Sequence, residues 1–310
     1  MGRYIVTSGQ NIYDVALHVY GSVEGIVDLM MNNTSLSLAN VLKAGDELEY
    51  TDDFIINKGI VTYYKMNGIV PSNGERNVYF KHPSFPKLAK ILIDNKKNSV
   101  EFSLSGSGKM EIDWGDNSTL QAITLSNEQQ TFRHHFDNNV PGKRKIFIYG
   151  SIQVKQFDCS GFQAFSIILF QPVSVEKLTL QQARLEIDFI SLLTGIYDID
   201  ITGLRCNNLL PLLNCNQLMN LNLSGINITQ EVLDEYLKNL VKQYYGRRNC
   251  CITLNMKPSG EYREPVRDGN LNYILSSGME AVWALVNEPA WNEGGYWKFI
   301  IEDTIYTSEP

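Results

Sequence analysis

The chain has 310 residues, 44% of them hydrophobic, and a formal net charge of -7. That length allows two or three domains, and that hydrophobic share fills ordinary cores. No basic block accompanies the mild negative charge, which argues against a nucleic-acid partner, and no apolar run reaches the roughly 18 residues that a membrane span requires.

The first fifty residues carry the most informative pattern. Tyr4-Ile5-Val6-Thr7 and Leu48-Glu49-Tyr50 are short β-prone ends. Between them Ile12, Val15, Ala16 and Val19 fall at i, i+3, i+4 and i+7, and Val23, Ile26, Val27 and Met30 repeat that spacing, so two short amphipathic helices are predicted. Gly21 ends the first, Ser22 caps the second, and Gly45-Asp46 turns into the last strand. The expected product is a β-α-α-β unit. With Tyr4-x-Val6, Ser8-Gly9-Gln10-Asn11-Ile12, Asp14-x-Ala16, Tyr20-Gly21, Asp28-Leu29, Asn33 and Leu42-x-Ala44-Gly45-x-x-Leu48, this unit resembles a LysM module over residues 1–52. The resemblance implies one of two roles: a secreted grip on N-acetylglucosamine polymers, or a structural piece of a phage tail or baseplate. On the glycan role, the sugar groove would lie between Ser8, Gly9, Gln10 and Asn11 on one side and Asn32-Asn33-Thr34 on the other, so Ser8, Gly9, Gln10, Asn11 and Asn33 are the candidate glycan- or partner-binding residues. Met1-Gly2-Arg3 runs straight into the first strand without an apolar h-region, so the chain is expected to stay in the cell or leave it by lysis.

Residues 53–87 read as a connector with strands of its own, from the β-prone runs Phe54–Ile56, Ile60–Tyr64 and Val78–Phe80. From 88 to 150 the pattern is all-β. Lys90–Ile93 and Val100–Leu104 are strands, and Ser105-Gly106-Ser107-Gly108 is expected to turn the chain. Asp113-Trp114-Gly115-Asp116-Asn117-Ser118, with His135-Phe136 and the stretch from Gly142 to Ile148 behind it, resembles the Trp-Gly-Asp-Gly-Ser signature of PKD-type β-sandwiches, with Asn117 in place of the second glycine. Trp114 is expected to plug that core. Asp113, Asp116 and Asp137 with His134 and His135 are read as turn caps and strand-edge groups rather than a metal or acid-base site.

From Val154 the chain repeats. Val154-x-x-Phe157-x-Cys159, Val175-x-x-Leu178-x-Leu180, Ile196-x-x-Ile199-x-Ile201 and Leu218-x-x-Leu221-x-Leu223 stand 21, 21 and 22 residues apart, with Cys251-x-x-Leu254-x-Met256 as a fifth copy. This period and pattern resemble leucine-rich repeats over 151–260, although the family's asparagine ladder is absent apart from Asn227. The resemblance implies stacked parallel strands, with Cys159 inside the apolar column. Thr229 to Tyr244 is a predicted helix whose apolar stripe faces the core. The five cysteines form no C-x-x-C pair and are read as reduced, mostly buried thiols.

Residues 261–310 read as a cap for the stack, with one short helix and two strands among Leu271–Leu275, Ala281–Val286 and Tyr296–Ile301. Trp283, Trp291, Tyr296 and Trp297 fill core there or form an aromatic sugar platform. The fold class expected is therefore multidomain α+β: a small LysM-like domain, an all-β PKD-like sandwich, and a parallel-strand leucine-rich-repeat-like solenoid with a C-terminal cap. No nucleotide loop, H-E-x-x-H or G-x-S-x-G appears, so no catalytic, cofactor or metal residue is assigned. The combination resembles phage or prophage tail proteins of the baseplate type. It implies a non-enzymatic virion component that assembles in the host cytoplasm and docks to other tail or baseplate subunits within a symmetric assembly, with peptidoglycan or the host surface as further partners. The alternative is a peptidoglycan- or glycan-binding cell-envelope protein.

Overall fold

A computed structural model describes residues 1–39, 41–71, 81–136, 140 and 142–309. It is a mixed α/β chain, mostly sheet. The N-terminal unit runs β1 (Gly2–Ile5), α1 (Ile12–Tyr20), α2 (Ile26–Asn32), β2 (Glu47–Tyr50), and the two strands pair antiparallel with Tyr4 opposite Leu48. Asn11 starts α1 through a capping box with Asp14, and Gly21 closes it in a left-handed conformation. Ile12, Val15, Ala16, Val19, Ile26, Leu29 and Leu48 form a core of their own. The predicted second stripe is corrected here: Ile26 and Leu29 point inward, whereas Val23 and Val27 are exposed.

The connector is corrected as well. Ile60–Tyr64 lies in a helix, α3 (Lys58–Asn67), not a strand. Asn57 caps it, and Gly68 ends it. Val61 is buried, and Tyr64 meets the His18 ring of α1 edge-on at 4.9 Å. Packing at i and i+3 against α1 thus outweighs the β preference of Ile, Val and Tyr. The expected strand Val78–Phe80 lies outside the described residues.

Among the described residues a thirteen-stranded mixed sheet forms most of the rest. Its antiparallel part comprises β3 (Lys87–Ile93), β4 (Ser99–Asp113), β5 (Gln121–Thr124), β6 (Gln130–His135), β7 (Arg144–Asp158) and β8 (Ser166–Leu169). Ser105-Gly106-Ser107-Gly108 does not turn the chain. These residues bend the fifteen-residue β4 at a register shift between Ser105 and Gly106, and Gly106 to Gly108 pairs with β7 through Val154 to Ile152. The physical reason is close approach: the β7 backbone passes where side chains at 106 and 108 would stand. Trp114 is buried as expected, and Phe102 stacks on Phe162 and Phe132 at 5.0 and 5.3 Å.

β7 is also the first rung of a parallel ladder. β9 (Val173–Thr179), β11 (Asp198–Asp200), β12 (Asn220–Leu223), β13 (Cys251–Leu254) and β16 (Lys298–Ile301) follow, with β10 (Leu193–Thr194) beside β9. Phe157, Leu178, Ile199, Leu221, Ile252 and Phe299 stand in one register column. Its neighbour contains Leu223, Leu254 and Ile301, so the fifth copy begins two residues earlier than the sequence pattern suggests. In Cys251-Ile252-Thr253-Leu254 every second side chain faces the same way, so a slip of two keeps the inward face and leaves the pattern ambiguous.

The long return is α4 (Gln230–Lys242), capped by Thr229, with Leu233, Tyr236, Leu237, Leu240 and Val241 buried. In the tail, β14 (Val266–Arg267) and β15 (Tyr273–Ile274) make a hairpin. Then α5 (Gly278–Asn287) packs on α4, and β17 (Thr304–Thr307) covers β16 antiparallel. One hydrophobic core continues from Leu88 to Ile301, through both the antiparallel and the parallel parts.

Candidate functional site

The five residues predicted to bind a glycan or partner sit in two loops of the N-terminal unit, and most of their polar atoms serve the fold. Gln10 is only 4% exposed; its Oε1 accepts from the Thr7 N–H at 2.7 Å, and its Nε2 donates to the Tyr4 hydroxyl at 2.7 Å. Asn11 Oδ1 accepts from the backbone of Tyr13 and Asp14 at the start of α1. Asn33 ties the end of α2 to β2, donating to the Leu29 and Glu49 carbonyls at 2.8 Å and accepting from the Glu49 N–H at 3.0 Å. Gly9 makes the turn from Thr7 to Gln10 with φ +79°. Ser8 is half-buried in the same turn.

The outer side of α2 is different in kind. Val27 and Met31, one helical turn apart, are 65% and 75% exposed, and Val23, in the 3-10 turn before the helix, is 48% exposed. Behind this stripe the helix is held firmly. The Tyr20 hydroxyl donates to Asp28 Oδ2 at 2.6 Å, and the Thr51 N–H and hydroxyl donate to the same carboxylate at 3.0 and 2.8 Å. Burial pushes the Asp28 carboxyl up, but these hydrogen bonds outweigh it and hold the group below its usual range. The result is a helix tied to Tyr20 and Thr51 that presents apolar side chains to solvent.

The acidic and histidine residues of the antiparallel region separate into two locks. Asp113 pairs with Lys81 at 2.5 Å. Asp116 is buried, and its Oδ2 meets His134 Nε2 at 2.6 Å while Oδ1 accepts from Ser118. The His134 ring lies flat on Trp114, 4.4 Å away and 3° from parallel. His135 is exposed on the neighbouring position of β6, and Asp137 lies outside the described residues. Among the described residues no three His, Cys, Asp or Glu side chains gather as a metal would require. The cysteines are free thiols; Cys159 is fully buried, burial pushes its thiol up, and Sγ sits 3.4 Å from the Thr179 carbonyl. The four C-terminal aromatics do not form one platform: Trp297 is core beside Phe299, Tyr296 is exposed near β13, and Trp283 and Trp291 flank Tyr273.

Sequence reasoning missed a polar column on the ladder. Gln156, Lys177, Asp198, Asn220, Cys251 and Lys298 align along its outer face, and Lys177 pairs with Asp198 at 3.2 Å. The next column closes each turn: Asp158, Asp200 and Asn222 accept from the backbone N–H groups of Ser160, Thr202 and Ser224 at 3.0, 3.0 and 3.1 Å. The signal is present in the sequence as Asp158-Cys-Ser-Gly161, Asp200-Ile-Thr-Gly203 and Asn222-Leu-Ser-Gly225. No family model, curated protein or solved structure matches the chain.

Proposed function

We propose that this protein is a non-enzymatic structural component of a bacteriophage or prophage tail or baseplate. On this reading residues 1–52 are a LysM-like module that docks to another tail subunit. Residues 88–150 are a PKD-like spacer, and 151–260 are a leucine-rich-repeat-like ladder that turns its polar columns to a further subunit or to the host surface. Within residues 261–310, β16 adds the last parallel rung and the rest of the segment caps the ladder. The chain assembles in the host cytoplasm and travels in the virion, in a symmetric assembly.

One observation carries this reading over the glycan-binding alternative. Gln10 and Asn33, two of the side chains a sugar would need, use both amide atoms within the fold, and Asn11 uses its side-chain oxygen there, while Val27 and Met31 face outward on α2. Such a stripe suits a protein surface, which desolvates apolar side chains, better than a hydrated sugar chain.

Mass spectrometry of phage-like particles, sedimented after prophage induction beside the cell envelope, tests it. The protein is expected in the particles. A Val27→Glu, Met31→Glu double variant is expected to fold with an unchanged melting temperature and to be missing from them. Recovery of the unaltered protein in the envelope alone, or undiminished incorporation of the double variant, overturns the proposal.

A further inference from the structure

A cavity of about 750 Å³ opens between the C-terminal end of α4, the β14–β15 hairpin and the segment after α5. Its volume lies within the range of small-molecule sites. Aromatic rings form its floor and rim. Tyr244 and Trp291 stack face to face at 4.2 Å and 19°. Tyr245 meets Tyr244 edge-on at 5.5 Å, and Tyr273 meets Trp291 edge-on at 5.7 Å. The rings brace one another, and Tyr245 remains 74% exposed. Sequence spacing did not bring these four together, because α4 and the tail meet only in the folded chain.

The charge of the lining runs against that of the chain. Lys238, Lys242 and Arg267 face a single carboxylate, Glu288. Arg267 already pairs with Glu288 at 2.9 Å, and the Tyr273 hydroxyl donates to the same oxygen at 2.7 Å. Among the described residues the two lysines, one turn apart on α4, bond only neutral oxygens: the Ser276 carbonyl at 3.0 Å and Asn239 Oδ1 at 3.2 Å. Their charge is left uncompensated in a protein of net charge -7.

We propose that this cavity binds an acidic oligosaccharide, a chain of carboxylated pyranose rings. The negative face of the exposed Tyr245, beside the Tyr244–Trp291 stack, attracts the C–H groups on one side of a pyranose ring, and a carboxylate on that ring meets Lys238 and Lys242 in charge-assisted hydrogen bonds. A nucleic acid also stacks on aromatic rings, but it needs a continuous cationic track along its phosphates, and three cations in one cavity do not supply one. The site is independent of the docking helix α2, so it stands or falls apart from the tail proposal.

Calorimetric titration of the full chain with a galacturonate oligomer, beside a chitin oligomer and an oligo-dT of similar length, tests the inference. The galacturonate oligomer is expected to bind, to quench tryptophan emission, and to weaken at least about tenfold when salt is raised until charges are screened. Tyr245→Ala and Lys242→Gln are each expected to weaken it about tenfold or more, at unchanged melting temperature, since both side chains are exposed. Absence of galacturonate binding, equal affinity for chitin or oligo-dT, or binding that survives both variants overturns the proposal.

Discussion

Desolvation raises the Asp116 carboxyl, but hydrogen bonds from His134 and Ser118 outweigh burial and bring it from its ordinary 3.8 down to about 2. A carboxyl lowered on folding contributes stability that is fully present above its unfolded value and is lost as pH falls through its folded value. Asp116 therefore contributes about 2 kcal/mol at neutral pH, and that contribution disappears between about pH 4 and about pH 2. Asp116→Asn is expected to lose about that amount at neutral pH and to flatten the acid limb of the stability curve over this window. Urea melts across the window would check it, and an unchanged acid limb would count against the pairing. The role of Asp116 as a turn cap is readable from Asp116-Asn-Ser118, where donor and acceptor stand two residues apart. Its bond to His134 is not, because it depends on β6 lying beside β4 with Val100 opposite His134. The same limit applies to Gln10 and Asn33. Their types and loop positions mark them as candidates in the sequence, but only the fold reveals that neighbouring backbone and Tyr4 already occupy their amides.

At the scale of elements, two glycines with positive φ separate two uses of the residue. A side chain at Gly106 would stand 2.1 Å from the Gln153 carbonyl oxygen, against the paired backbone of β7. A side chain at Gly225 would meet nothing nearer than the Gly203 nitrogen at 3.9 Å. Gly225→Ala is expected to cost only the left-handed backbone penalty, about 1–2 kcal/mol. Gly106→Ala adds a steric clash that the paired strands cannot relieve, so a loss of about 4 kcal/mol or more is expected. Denaturant midpoints of the two variants measure the difference, and equal losses would show that β4 and β7 do not approach so closely. This contrast also explains what the sequence could convey. α1, α4 and the first four rungs are readable because each repeats its apolar period over its whole length and ends on a cap or turn residue. Ser105-Gly106-Ser107-Gly108 has the composition of a turn, yet it bends a strand, because a glycine needed for close approach is indistinguishable in sequence from one needed for a reversal. α3 is hidden for a different reason: Ile60, Val61, Tyr63 and Tyr64 favour a strand locally, and contact with α1 decides otherwise.

On the scale of the whole molecule, the described residues build two hydrophobic cores of unequal size. The N-terminal one gathers a few side chains from α1, α2 and β2, while the other runs unbroken from Leu88 through the ladder to Ile301. A small core buries a smaller share of its chain's surface, so the N-terminal unit is expected to be the less stable of the two. The ladder gains instead from stacking, since each rung is covered by the next and β17 covers the last. Calorimetry of the full chain is therefore expected to give two transitions, the N-terminal unit melting first. Asn33→Ala removes the bonds that tie α2 to β2 and leaves the Glu49 N–H without its partner. It is expected to lower only the first transition, by about 1–3 kcal/mol. Leu221→Ala opens a cavity in the central column of the ladder and is expected to lower only the second, by about 2–5 kcal/mol. If either substitution moved both transitions together, the two cores would be one cooperative unit. On the proposed docking role, a partner that grips α2 would then stabilise the ladder as well, whereas with separate cores it would leave the ladder's own stability unchanged.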